Sequence, residues 1–269
     1  MKYATKEGTF AYLKQFSDYS RSFYRYTGDF FVSSLGLGTF RKEPYREENY
    51  VISYKEAVKT SIENGVNVID TAINYRYQVS EREIGEALEE LFRYGVAKRE
   101  ALVVASKAGF IPLSFPFPEN PYTWIEENVV EKGLATKEEV VIDQHCMSPG
   151  FLRWSVEKSL ENLKLETLDI LYLHNPETQL GYVDRSVVMA RIKEAFRLFE
   201  ALVEEGKIRS YGIASWNGFL YEEEHAEYLS LSEMIQIAVE AGGTSHHFRY
   251  IQSPFNLAKP HAYSYSNQK

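Results

Sequence analysis

Three short apolar runs in this 269-residue chain end in groups able to move a proton. Asn67-Val68-Ile69 stops at Asp70, with Tyr75 further along in Asp70-Thr71-Ala72-Ile73-Asn74-Tyr75; Leu102-Val103-Val104-Ala105-Ser106 stops at Lys107; Ile170-Leu171-Tyr172-Leu173 stops at His174. Runs this short and unalternated, rich in Val, Ile and Leu, read as strands buried on both faces of a parallel sheet. The C-terminal ends of such strands are where ligands and catalytic groups collect. A carboxylate, a phenol, an amine and an imidazole at those ends outline a proton-transfer site.

The elements that must position these groups alternate between strand and helix from about residue 31. Val32 to Leu37 reads as the first strand and ends in Gly36-Leu37-Gly38-Thr39. Glu48 to Asn64 has Val51, Tyr54, Val58 and Ile62 at helical spacing, with Gly65 as its stop. Ser80-Glu81-Arg82-Glu83 has the spacing of a capping box for the next helix, which ends at Gly95. Residues 112–147 then interrupt the rhythm with Pro and aromatics (Phe115, Phe117, Tyr122, Trp124), far more than the usual connection of about 2–6 residues. Two readings of those aromatics stay open, a lid over substrate or packing of the insertion.

The alternation resumes at Ser148-Pro149, a good cap and first helical residue. It continues through a helix from Asp184 to Glu205, a strand over Arg209–Ser215, a helix ending at Gly242 and a strand at Tyr250-Ile251-Gln252. Residues 1–30 read as an extension in which Tyr24 to Val32 forms a hairpin, and residues 31–269 as one α/β domain. Right-handed crossovers allow an open doubly wound sheet or a (β/α)8 barrel. Chemistry at strand after strand, rather than at one switch point, favours the barrel.

Bulk properties narrow the function classes. The net charge of −8 argues against nucleic acid or an anionic membrane surface as partner. No apolar stretch approaches the roughly 20 residues of a membrane span, and no hydrophobic run follows Met1 as in a secretory signal, so the expected location is the cytoplasm. Cys146 is the single cysteine, which leaves no intrachain disulfide or thiolate cluster. No metal site is expected; His145-Cys146 and His246-His247 read as surface or packing residues.

Asp70-Thr71-Ala72 with Tyr75, Lys107 in Ser106-Lys107-Ala108-Gly109, and His174 in Leu173-His174 resemble the aldo/keto reductases, whose four catalytic positions they match in order. Gly36-Leu37-Gly38-Thr39 and Gly85 add to the likeness. Tyr211-Gly212-Ile213-Ala214-Ser215-Trp216-Asn217 resembles the family's segment for the nicotinamide carboxamide, and Ile251-Gln252-Ser253-Pro254-Phe255-Asn256 the strand after it. Where many members carry Ser-Asn for the carboxamide, this chain has Ala214-Ser215.

The resemblance implies a (β/α)8 barrel and reversible reduction of small-molecule aldehydes and ketones to alcohols. It implies NADP(H) as cofactor, with NAD(H) as the alternative. Tyr75 would be the proton donor, Lys107 and Asp70 would tune it, and His174 would polarise the carbonyl. Thr39, Asp70, Ser215 and Gln252 would contact the cofactor. The chain accounts for about six of the eight β/α units, with a long insertion after the third strand, so a fragment is the expectation. A non-catalytic cofactor-binding protein on the same scaffold, or an inactive fragment of the enzyme, are the competing readings.

Overall fold

The computed structural model describes residues 2–20, 22–40 and 53–268. In chain order its helices and strands are α1 (Lys6–Leu13), β1 (Tyr24–Tyr26), β2 (Phe31–Ser33), β3 (Leu37–Gly38), α2 (Tyr54–Glu63), β4 (Val68–Asp70), α3 (Val79–Arg93), β5 (Val103–Ala108), α4 (Pro121–Ile125), β6 (Val140–Val141), β7 (His145–Cys146), α5 (Pro149–Leu163), β8 (Leu168–His174), α6 (Arg185–Glu204), β9 (Ile208–Ala214), α7 (Leu231–Gly242), β10 (Phe248–Gln252) and α8 (His261–Ser264). A π-helical turn, Glu126–Val130, follows α4 directly. The start expected for this helix at Glu48, with Val51, lies outside the described residues; α2 begins after its cap Ser53, whose hydroxyl accepts from Lys55 N.

The chain forms two compact units, and β5, α5 and β8 each have a part in both. The first comprises Met1–Ser106, Pro112–Glu119 and Glu157–Ile170. Its strands run in the order β3-β4-β5-β8, with β3 parallel to β4 (Gly38 opposite Asp70) and β4 parallel to β5 (Asp70 opposite Ala105). β1 and β2 form an antiparallel hairpin beside them in sequence.

One buried polar side chain, Asn67, anchors the starts of these strands. Asn67 accepts from Ser33 N at 2.8 Å and donates to Phe31 O at 2.9 Å and Ala101 O at 3.2 Å. It thereby fastens the hairpin and the approach to β5 onto β4. Buried amides must be satisfied in this way, because an unmade bond costs the full desolvation of the group.

Two local expectations are corrected here. The run Val32–Leu37 is not one strand. Ser34 N donates to Phe23 O at 2.6 Å, which keeps the chain with the hairpin before it enters β3 at Leu37. Nor do Ser80 and Glu83 form a capping box. Arg76, Tyr77 and Gln78 are successively left-handed (φ 49°, 53° and 72°), and helix α3 starts directly after Gln78. Ser80 therefore lies inside the helix and donates to Thr39 O at 3.2 Å, while Glu83 accepts from Tyr54 N and Arg76 Nη1, each at 2.8 Å.

The second unit comprises Lys107–Ile111, Asn120–Val156 and Leu171–Lys269. Its strand order is β5-β8-β9-β10, and β10 lies parallel to β9 with a slip between Phe248 and Tyr250. Gly212 meets that slip closely: a Cβ there would fall 1.9 Å from Tyr250 O. Phe196 and Phe199 of α6 pack on Tyr211 of β9 with ring centroids 5.0 and 5.5 Å away, and Phe248 closes the cluster at 5.3 Å from Phe196. Burial of such rings is the main attraction between helix and sheet here. Ser148 accepts from Phe151 N at 3.3 Å and so caps α5.

Candidate active site

In the first unit, Thr39, Asp70 and Tyr75 stand at or just after strand ends. Thr39 is fully buried and holds the end of β4 twice, since its N and its Oγ1 each donate to Asp70 O at 3.1 Å. Tyr75 follows in a turn closed by its own N donating to Ala72 O at 3.0 Å, and its ring packs 5.0 Å from that of Phe40. Burial, then the Asp70 carboxylate, then Tyr54 push the Tyr75 phenol up from its ordinary value of 10.0. In those surroundings it keeps its proton through the neutral range, so releasing it requires a cation.

In the second unit, Lys107 lies in β5 with only 2% of its surface exposed, and His174 closes β8. A buried ammonium is costly to desolvate and is rarely tolerated without a task or a partner. Burial first, then the Lys107 charge, then His145 hold the His174 imidazole well below its ordinary 6.5. It is therefore a neutral ring at physiological pH and a donor through one nitrogen only. Phe110 presents its face edge-on to His174 at 4.9 Å and to His145 at 5.0 Å.

The end of β9 carries Ser215, whose N donates to Gln252 O at 2.9 Å, joining the two residues expected at the carboxamide through their backbones. The Ser215 hydroxyl, however, already donates to Glu177 Oε1 at 2.7 Å and accepts from Gly218 N at 2.8 Å. Glu177 Oε1 also accepts from Trp216 N at 2.8 Å. Its other oxygen, Oε2, is buried with no hydrogen-bond partner among the described residues. Burial pushes this carboxyl up from 4.5, and the donors around Oε1 pull the other way.

Sequence reasoning passed over Glu177, whose one signal is its place just after a strand end in His174-Asn175-Pro176-Glu177. Of the two alternatives read for His145, surface or packing, the buried one holds. That residue is not a surface group: it is fully buried, with Nε2 2.7 Å from His174 O and Nδ1 3.0 Å from Gln179 Nε2. His247 pairs with Glu200 at 2.7 Å. Among the described residues, no group of three or more His, Cys, Asp or Glu is arranged to hold a metal, and no helix is long and apolar enough to cross a membrane. The aromatics of the insertion divide: Phe117 packs on Tyr77 at 5.1 Å, whereas Tyr122 is exposed.

Parallel strands alternating with helices, carrying polar groups at successive strand ends, define an α/β protein of the (β/α)8 barrel type. The family model of the aldo/keto reductase family matches residues 34–241, and the chain belongs to that family. It is 28% identical over 200 residues to an aldose reductase B of Dictyostelium discoideum, across 69% of this chain and 50% of that protein. It is 29% identical over 189 residues to a glyoxal reductase of Bacillus subtilis, across 70% of this chain and 48% of that one. The fold is also that of a glycerol dehydrogenase from Gluconobacter oxydans, with a TM-score of 0.56 at 23% identity over 89% of this chain and 57% of that one. The chain spans about half the length of the curated relatives it matches.

Proposed function

We propose that this chain carries the catalytic residues of a nicotinamide-dependent carbonyl reductase, which interconverts small-molecule aldehydes or ketones and alcohols. The expected cofactor is NADP(H), with NAD(H) as the alternative. When bound, it supplies the hydride. Tyr75 donates the proton to the developing alkoxide. In this reading Lys107 would be the cation that lets the phenol release its proton, and Asp70 would keep that lysine charged. His174, neutral, donates a hydrogen bond to the substrate carbonyl.

The observation that carries this reading is the buried Lys107 and its effect on His174, a cation and a neutral imidazole in a protein of this family. Glu177 fits the cofactor as well. A primary amide has two N–H groups to place, and Oε2 is a buried acceptor in need of one. Ser215, Gln252 and Glu177 are accordingly the residues that would hold the carboxamide, and Thr39 and Asp70 would lie toward the ribose.

The test is NADPH oxidation with p-nitrobenzaldehyde by the chain and by Tyr75→Phe. Loss of a positioned proton donor should lower kcat by about 10²–10⁴-fold. Equal rates for the two proteins would remove Tyr75 from its role. Retention of NADPH with no turnover across many carbonyl compounds would support a non-catalytic cofactor-binding protein instead.

A further inference from the structure

We infer that His145 is a positioning residue for His174: a buried imidazole, supplied by the segment that interrupts the β/α alternation, which holds the backbone of the histidine assigned to polarise the carbonyl. This inference rests on the reading of His174 given above. The argument begins with what each atom can do. Arg191 has donors only, and its Nη1 lies 2.8 Å from Gln179 Oε1. That contact orients the Gln179 amide so that its NH2 faces His145 Nδ1, at 3.0 Å. Nδ1 must then accept, so the ring hydrogen is on Nε2. The His174 carbonyl oxygen, 2.7 Å from Nε2, can only accept. Both ends of the relay demand the same tautomer.

The surroundings are built to this contact. β7 brings His145 to the chain just beyond β5, where Cys146 N donates to Gly109 O at 2.8 Å and Ile111 N to Gln144 O at 2.7 Å. Gly109 has φ +144°, and a Cβ there would stand 3.0 Å from both His145 Nε2 and His174 O. Glycine thus leaves room for the hydrogen bond on its open side. Phe110 rests against both imidazoles and limits their tilt.

On the next strand, Asn175 N donates to Ala214 O at 2.7 Å, so the peptide between His174 and Asn175 is held from its two sides by β9 and by His145. Fixing that peptide fixes the Cα–Cβ direction of His174, and with it the aim of the ring. Burial pulls His145 down to about 4, so the relay keeps its neutral ring at working pH. An error of about 1 Å in a catalytic group can cost 10²-fold in rate, which is the scale on which such a tether matters.

The experiment uses the full chain labelled with 15N-histidine, with NADPH and p-nitrobenzaldehyde for turnover. Long-range 1H–15N spectra should show His145 neutral with hydrogen on Nε2 at pH 7. His145→Leu should shift the ring signals of His174 and lower kcat about tenfold or more with the KM for NADPH nearly unchanged; His145→Gln, which keeps a donor, should recover most of both. Gln179→Ala, which leaves His145 in place, should mix its tautomers and guards against a leucine variant that fails to fold. Hydrogen on Nδ1 in the wild-type chain, or a His145→Leu protein with unmoved His174 signals and unchanged kcat, would overturn the inference. His174→Gln separates the two claims. If it leaves kcat unchanged, the catalytic reading of His174 fails, while the spectra still decide whether His145 holds that residue.

Discussion

Arg99 Nη2 donates to Asp169 Oδ2 at 2.7 Å, and neither side chain is more than 9% exposed. The same carboxylate accepts from Ala4 N at 2.7 Å and Val104 N at 2.8 Å, while Arg99 also donates to Leu102 O and Thr167 O. One buried ion pair thus ties the N-terminal segment, β5 and β8 of the first unit together. Removing one partner leaves the other charged, buried and uncompensated. Asp169→Ala should therefore cost about 3–5 kcal/mol in urea denaturation. A double variant Arg99→Met, Asp169→Leu should recover much of that loss.

Gly85 on α3 has no room for a side chain: a Cβ would fall 2.2 Å from Asn162 O and 2.9 Å from the carbonyl carbon of Leu163. Alanine is the better helix former by about 1 kcal/mol. Here the obstacle is backbone, which cannot swing aside. Gly85→Ala should lower stability by about 1–3 kcal/mol, read as a reduced denaturation midpoint at constant m-value.

Two buried imidazoles make stability depend on pH. His145 is held down to about 4 and His174 below its ordinary 6.5, both chiefly by burial. The unfolded chain binds these protons near 6.5 and the folded chain only at lower pH, so stability rises with pH across that interval. For His145 the contribution is complete above 6.5 and is lost as pH falls toward 4, at up to about 1.4 kcal/mol per pH unit, and His174 acts in the same direction. Thermal melts over that range should show a falling Tm at acid pH. His145→Gln should flatten the slope, and an unchanged slope would contradict the assignment.

Glu177→Gln tests the cofactor fit. The three donors around Oε1 will keep the carbonyl oxygen of glutamine, leaving its NH2 where Oε2 stood. A donor there cannot accept from a carboxamide. NADPH affinity should fall about tenfold, about 1.4 kcal/mol, with the fold retained. Unchanged affinity by calorimetric titration would remove Glu177 from the cofactor site.

Much of this was legible in the chain itself. Asp70 and His174 close strands that end where the apolar runs end, and Lys107 lies inside the strand its run announced. Ser148 caps its helix as its position before Pro149 suggests. Such features follow from local periodicity and local hydrogen bonding. The capping box failed for the same reason: the spacing of Ser80 and Glu83 is local, but three left-handed residues upstream moved the helix start.

By itself, the sequence determined the alternation of strand and helix, the family, and the four groups proposed for chemistry, because each is written in residues close together along the chain. Tertiary structure alone decided how those groups are tuned and held. The contact of His145 with His174 O spans 29 residues and that of Ser215 with Glu177 spans 38, and nothing in either neighbourhood announces them. Burial decided the rest. Desolvation is what holds the imidazoles neutral, the phenol protonated and one oxygen of Glu177 in want of a donor, and it depends on what the whole chain brings around each group.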